Sequence, residues 1–383
     1  MRMNITEYGR RSLWIMFLIF GLGLATLAFG LFAVRQVAAA PASQPDRQFI
    51  SNDTCLICHS NQDIQTKLPS GETFLVYIDK DAFDAGVHHQ NKVSCVGCHT
   101  EIISVPHEKS SAKDLREVAI LYSASCKQCH SENTEKTLDS VHQAALDAGN
   151  TSAAVCSDCH NPHTQKPIAE MKKSDIPNTC ARCHNGIFET YKTSVHGAAL
   201  TGEGNTDVAS CIDCHGVHDI QDPTTVEFRN ATPQLCAKCH TDPAIMDKYG
   251  ISTHVLETYV SDFHGTTVTL FESTSPNQPT NKPVCTDCHG LHDIVKVDDP
   301  QHGIAAKKNL LIKCQQCHPG INENFPDAWL SHYIPSPEKA PLVYFVNLFY
   351  QLMIPATIGG MLVFVISDFI RRLIDRRRKG AAH

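Results

Sequence analysis

Aromatic side chains are scarce in this 383-residue chain: tryptophan occurs twice and the aromatic share is 7%. That leaves too little bulky apolar material for an ordinary core around each part of so long a chain. Methionine is nearly absent from the middle, with only Met171 and Met246 between the two apolar ends. Basic charge is short as well. Residues 36–341 hold 23 Lys+Arg (33 less the 10 in the ends) against 37 Asp+Glu (40 less 3), a net of −14. Such an acidic segment repels nucleic acid and favours basic partner surfaces. No cysteine is left over, because all 18 fall into Cys-x-x-Cys pairs.

The pairs are Cys55/Cys58, Cys95/Cys98, Cys126/Cys129, Cys156/Cys159, Cys180/Cys183, Cys211/Cys214, Cys236/Cys239, Cys285/Cys288 and Cys314/Cys317. Histidine follows every pair: His59, His99, His130, His160, His184, His215, His240, His289 and His318. Zinc ribbons use Cys-x-x-Cys but need no histidine after each pair. A disulfide scaffold has no use for that histidine either, and a thioredoxin-type motif would occur once. Cys-x-x-Cys-His is the attachment motif of c-type haem. One turn sets both thiols along a haem edge, and the next residue binds the iron. Nine motifs therefore predict nine covalently attached haems c, and no Cys-x-x-Cys-Lys variant occurs.

Thirteen of the 22 histidines remain after the motifs take nine. Nine of them recur in register: His88, His107, His142, His163, His196, His218, His264, His292 and His332. Odd motifs from Cys126 onward are followed by a histidine in a serine-containing context, as in Ser140-Val141-His142, Ser194-Val195-His196, Ser261-Asp262-Phe263-His264 and Ser331-His332. The even motifs at Cys156, Cys211 and Cys285 carry one three residues past their own. The motif at Cys95 departs from this, with His107 eight residues on. In the first copy Gly86-Val87-His88 suits the Ser-Val-His slot better than His89. His264 is favoured over His254 because Tyr259 precedes it as Tyr191 precedes His196. Every iron then has two imidazoles, which makes most of the haems low-potential bis-histidine centres. In Cys-His-x-x-His the second histidine is only about 10 Å of extended chain from the first. It is better placed to serve a neighbouring haem than to reach round its own.

Cys126, Cys180 and Cys236 lie 54 and 56 residues apart, the self-similarity of an array. The copies number about four and a half. Each motif has only about 34 residues of chain, so the porphyrins must form the core of short helices and long loops. The predicted fold is mainly α and irregular, with a minor β-hairpin in 66–82 around Pro69-Ser70-Gly71.

Residues 13–34 are uncharged and mainly apolar, about 33 Å as a helix, and follow Arg2, Arg10 and Arg11. They read as a transmembrane helix after a cytoplasmic N-terminus at 1–12; a cleaved signal peptide is the alternative. Residues 35–341 are then the extracytoplasmic, periplasmic haem domain. Residues 342–367 are a second transmembrane helix, with Pro355 expected to kink it, and 368–383 a basic cytoplasmic tail.

Residues 50–333 resemble the bacterial multihaem c-type cytochromes of the cytochrome c3-like, doubled Cys-x-x-Cys-His class. The resemblance implies an exported electron carrier with closely packed bis-histidine haems. The stretch Ile358-Gly359-Gly360 to Asp368-Phe369-Ile370-Arg371-Arg372 looks like multihaem subunits that dock on an integral membrane b-type cytochrome. The expected function is electron transfer between the quinone pool, through a cytochrome b or other quinone-reactive subunit, and a periplasmic redox partner. Two alternatives stand beside it: a self-sufficient quinol dehydrogenase, and a multihaem reductase with one open iron. No catalytic residue is expected in the first reading.

Overall fold

The computed structural model describes residues 50–329, 332 and 334–380. The 13–34 segment and Ser331 lie outside these. The described chain is a succession of short helices joined by long irregular segments, with one two-stranded sheet.

The sheet pairs β1 (Gln65–Lys67) with β2 (Thr73–Leu75) antiparallel, Thr66 opposite Phe74. Its turn closes through Gly71 at φ +90°, a conformation that favours glycine. The second strand of the expected hairpin stops at Leu75, because the next residues turn to the first motif: the Ile78 amide donates to the His59 carbonyl at 2.6 Å.

Few side chains pack against one another. Among the described residues only twelve hydrophobic side chains are buried, including Leu56, Phe83, Tyr191, Leu200, Met246, Tyr259 and Val268. Order comes instead from caps. The serine of the Ser-Val-His context is a helix N-cap: Ser140 Oγ accepts from the Gln143 amide and Ser194 Oγ from the Gly197 amide. Asp262 does the same before His264. The cap fixes the histidine as the second residue of its helix, and so sets the direction in which the ring leaves the backbone.

The even motifs occupy single helical turns, Cys156–Cys159, Cys211–His215 and Cys285–His289. In each, the aspartate before the second cysteine folds back to the backbone amide preceding the first. Asp158 accepts from Val155, Asp213 from Ser210 and Asp287 from Val284, at 2.6 to 2.7 Å.

Among the described residues one helix differs from the others. Pro341–Gly380 runs 40 residues and continues through Pro355 without a break. Its stretch Pro341–Arg378 has mean hydropathy 1.9 in its most apolar window, and none of that window is buried. By length and composition this helix is long and apolar enough to cross a membrane. The basic residues expected as a separate tail continue the same helix.

Candidate metal centres

Each motif histidine faces a second histidine. The facing pairs are His59/His107, His99/His163, His130/His88, His160/His218, His184/His142, His215/His292, His240/His196, His289/His332 and His318/His264. All nine separations between ring centres lie from 6.0 to 6.3 Å.

That spacing has a chemical meaning. Imidazole nitrogens bind a metal at about 2 Å and sit about 1 Å from their ring centre, so two rings on opposite sides of one ion stand roughly 6 Å apart. Direct ring stacking would allow closer approach. The donor set therefore fits an iron between each pair, with the cysteines alongside to hold the porphyrin. Among the described residues no three His, Cys, Asp or Glu side chains converge as a bare ion would require.

The spare histidines stand elsewhere. His89 packs its edge on Phe83 beside Asp84, His254 pairs with Glu257 at 2.8 Å, and His302 sits exposed near Asp299. His383 lies outside the described residues. Met171 is exposed against Gln165, and Met246 is buried.

At ten of the facing rings, among them His99, His142, His215 and His240, burial favours the neutral form, which can donate a lone pair. Desolvation, then repulsion from a neighbouring histidine, pushes His163, His196 and His289 down to about 4. Several rings are also aimed by a partner at the far nitrogen. His59 Nδ1 bonds the Val76 carbonyl (2.8 Å), His88 Nδ1 that of Pro162 (2.8 Å), and His264 Nδ1 the Asp262 carboxylate (2.8 Å). Such outer partners fix tautomer and ring plane.

The sulfurs run in file, and no disulfide joins any of the 18. Within each two-motif copy the leading cysteines touch: Cys55 with Cys95, Cys126 with Cys156, Cys180 with Cys211 and Cys236 with Cys285. Between copies, Cys98 neighbours Cys129, Cys159 neighbours Cys180, Cys214 neighbours Cys236 and Cys288 neighbours Cys314. Consecutive motifs are thus adjacent from the first to the ninth.

In seven of the nine motifs the second cysteine is exposed, whereas every first cysteine is half-buried. Cys58 and Cys183 are exposed, whereas Cys239 is half-buried near Cys214. Cys58 and Cys239 are each the second-last residue of their helices, Asn52–His59 and Val226–His240, and Cys183 lies just beyond the end of Ile176–Ala181. For all 18 thiols the assignment to haem attachment rests on the motif spacing. Exposure suits a thiol that must be reached by a vinyl group.

Ion pairs hold the two motifs of a copy together. Arg116 reaches Asp158 (2.7 Å), Lys173 reaches Asp213 (3.1 Å) and Arg229 reaches Asp287 (2.7 Å). In the first copy Asn52 substitutes, accepting from the Cys95 amide at 2.8 Å. Sequence reasoning missed this set. The thrice-repeated x-Asp-Cys in the even motifs, with a basic residue upstream of each odd motif, was the available signal. Tyr191 and Tyr259 add a second brace. Their hydroxyls donate to the Ala209 and Pro283 carbonyls, each two residues before the next motif.

With this geometry in place, two family comparisons bear on it. A doubled CXXCH motif family matches residues 149–187 and 204–244. A cytochrome c552 family matches residues 72–154. Together they support a multihaem c-type cytochrome. Covalently bound haem c and haem-based electron transfer follow at that level. No curated protein matches the chain, and no solved structure does. The doubled motif spans one even and one odd motif, Cys156 with Cys180 and Cys211 with Cys236. The multihaem cytochrome can therefore be divided in either phase, as expected of a continuous file.

Proposed function

We propose that this multihaem cytochrome carries nine haems c, each iron held by one of the nine facing histidine pairs, and works as a membrane-anchored electron-transfer subunit of a respiratory complex. The reading rests above all on the pairing: every motif histidine has a second imidazole at iron-bridging distance. When bound, haem iron supplies the one-electron chemistry. The polypeptide does the rest. Its cysteines set neighbouring motifs side by side, its paired imidazoles would hold each iron between them, and its caps and Nδ1 partners hold the rings in place. A site closed on both faces passes electrons and leaves no position for a substrate.

The membrane link draws on the exposed apolar helix Pro341–Gly380 and the basic residues that end it. In this reading the helix anchors the array on the periplasmic face of the cytoplasmic membrane, with its basic end in the cytoplasm. A b-type cytochrome or another quinone-reactive subunit connects the array to the quinone pool, and a periplasmic protein stands at the other end. The acidic array suits a basic partner surface there.

Purification of the intact chain from membranes tests this. A co-purifying subunit with b-type haem, through which a quinol reduces the c-type haems, is the expected result. Quinol oxidation by the chain alone would replace the proposal with a self-sufficient quinol dehydrogenase. Turnover of nitrite, hydroxylamine or tetrathionate by the chain would replace it with a reductase.

A further inference from the structure

We propose that neighbouring two-motif copies complete one another's irons by reciprocal exchange of histidines. The inference rests on the axial-ligand reading above and goes on to assign each histidine to its iron. Number the copies from their first cysteines: Cys55, Cys126, Cys180, Cys236 and the half copy at Cys314.

At the first junction His88 of copy one faces His130 of copy two, and His163 of copy two faces His99 of copy one. The second junction repeats this with His142 on His184 and His218 on His160. The third has His196 on His240 and His292 on His215. The fourth has His264 on His318 and His332 on His289. The serine-context histidine of each full copy goes forward, and the returning histidine always goes back.

An independent feature of the backbone explains the pattern. The residue before each forward histidine donates its amide to the carbonyl two residues past each returning one. These bonds are Val87 to Gln165 (2.7 Å), Val141 to Ile220 (2.8 Å) and Val195 to Ile294 (2.8 Å). One clamp therefore carries both histidines of a junction, pointed to opposite copies. The tight Cys-His-x-x-His turn helps: Gly216 and Gly290 sit at φ +79° and +86°, turning the chain between its two histidines. The fourth junction, where no Cys-His-x-x-His follows, uses a different contact. There His332 Nδ1 meets Thr258 Oγ1 at 3.3 Å, and Trp329 lies against His264.

Exchange also accounts for the odd first copy. Residues 1–54 hold no Cys-x-x-Cys-His motif, so within them a returning histidine after Cys95 finds no iron to serve and no forward histidine arises for the Cys55 motif. His107 supplies that iron from within the copy, facing His59. It is the one site that does not cross a junction.

The test uses the full holo-chain at its C-terminal end. His264→Ala should convert one low-spin iron to high spin. In a chain whose ninth haem is removed by Cys314→Ser and Cys317→Ser, adding His264→Ala should produce no new high-spin iron. His332→Ala should produce one in both backgrounds, and His302→Ala none in either. A new high-spin iron from His264→Ala in both backgrounds would assign it to its own copy and overturn the exchange. No high-spin iron from it in either would instead sink the axial-ligand reading. If the double cysteine variant fails to mature, a structure of the native holo-chain decides. Any iron after the first with both imidazoles from one copy overturns the proposal.

Discussion

The first copy and the three that follow use the same motif but are closed differently. In copies two to four, an aspartate before the second cysteine caps the even motif and pairs with a basic residue. In the first copy that position is Gly97, and Asn52 ties the two motifs instead. Copies two to four have a returning histidine three residues past the motif; the first has His107, with its Nδ1 bonded to the Glu108 carbonyl. The middle of the array is built for neighbours on both sides, and its beginning for a neighbour on one side only. Repeat proteins need such atypical ends because an interior unit cannot satisfy itself.

The largest effect should come from cutting a junction. His142→Ala with His218→Ala removes one imidazole from each of two irons in different copies. It should produce two high-spin haems and a sharp drop in thermal midpoint, because metal–ligand bonds contribute directly to folding. His107→Ala should give one high-spin haem and leave the rest of the array unaltered. Spin-state counting beside thermal unfolding measures both, and equal stability losses would erase the distinction drawn here.

Next in size is Gly265→Ala. A Cβ there overlaps the Tyr259 backbone carbonyl, as one at Gly197 would overlap that of Tyr191. The chain must shift at His264, with an expected cost of about 2–4 kcal/mol in unfolding free energy. The same change at Gly149, where nothing lies within 4 Å but φ is +88°, meets backbone strain alone and should cost only about 1 kcal/mol.

Smaller still is the cap. Asp287→Ala removes both the bond from the Val284 amide and the Arg229 pair, and should cost about 1 kcal/mol. Gly97→Asp would give the first copy the cap it lacks and should stabilise by less than about 1 kcal/mol in the same measurement.

The last prediction alters no stability. Facing rings cross at 61° to 68° in His88/His130, His196/His240 and His264/His318, and at 5° to 36° in the other six pairs. Ring orientation tunes the iron. Electron paramagnetic resonance of the oxidised protein should therefore show two low-spin populations, three crossed irons against six.

Much of this was legible in the residues. The motif spacing is a local property, so the nine motifs and the nine histidines that face them could be read directly, and so could the reach of His163, His218 and His292 to a neighbouring motif. Which motif each faces could not be read. It depends on backbone bonds such as Val141 to Ile220, made between residues 79 positions apart that carry no distinguishing side chain. The Arg116–Asp158 pair was hidden for a similar reason, since a charge on a loop has many possible partners until the chain is folded. The hairpin was visible in its Pro-Ser-Gly turn, but its short strands were not, because the contact of Ile78 with the first motif ends the second one. The 13–34 segment lies outside the described residues, so the C-terminal helix alone carries the structural support for a membrane anchor.

The central claim is that every iron is held on both faces by the protein. Haem stoichiometry by mass and spin state by resonance spectroscopy, on one sample of the intact holo-chain, test it together. Nine covalent haems with no high-spin ferric signal is the predicted result; a resting high-spin iron, or fewer than nine haems, would contradict it.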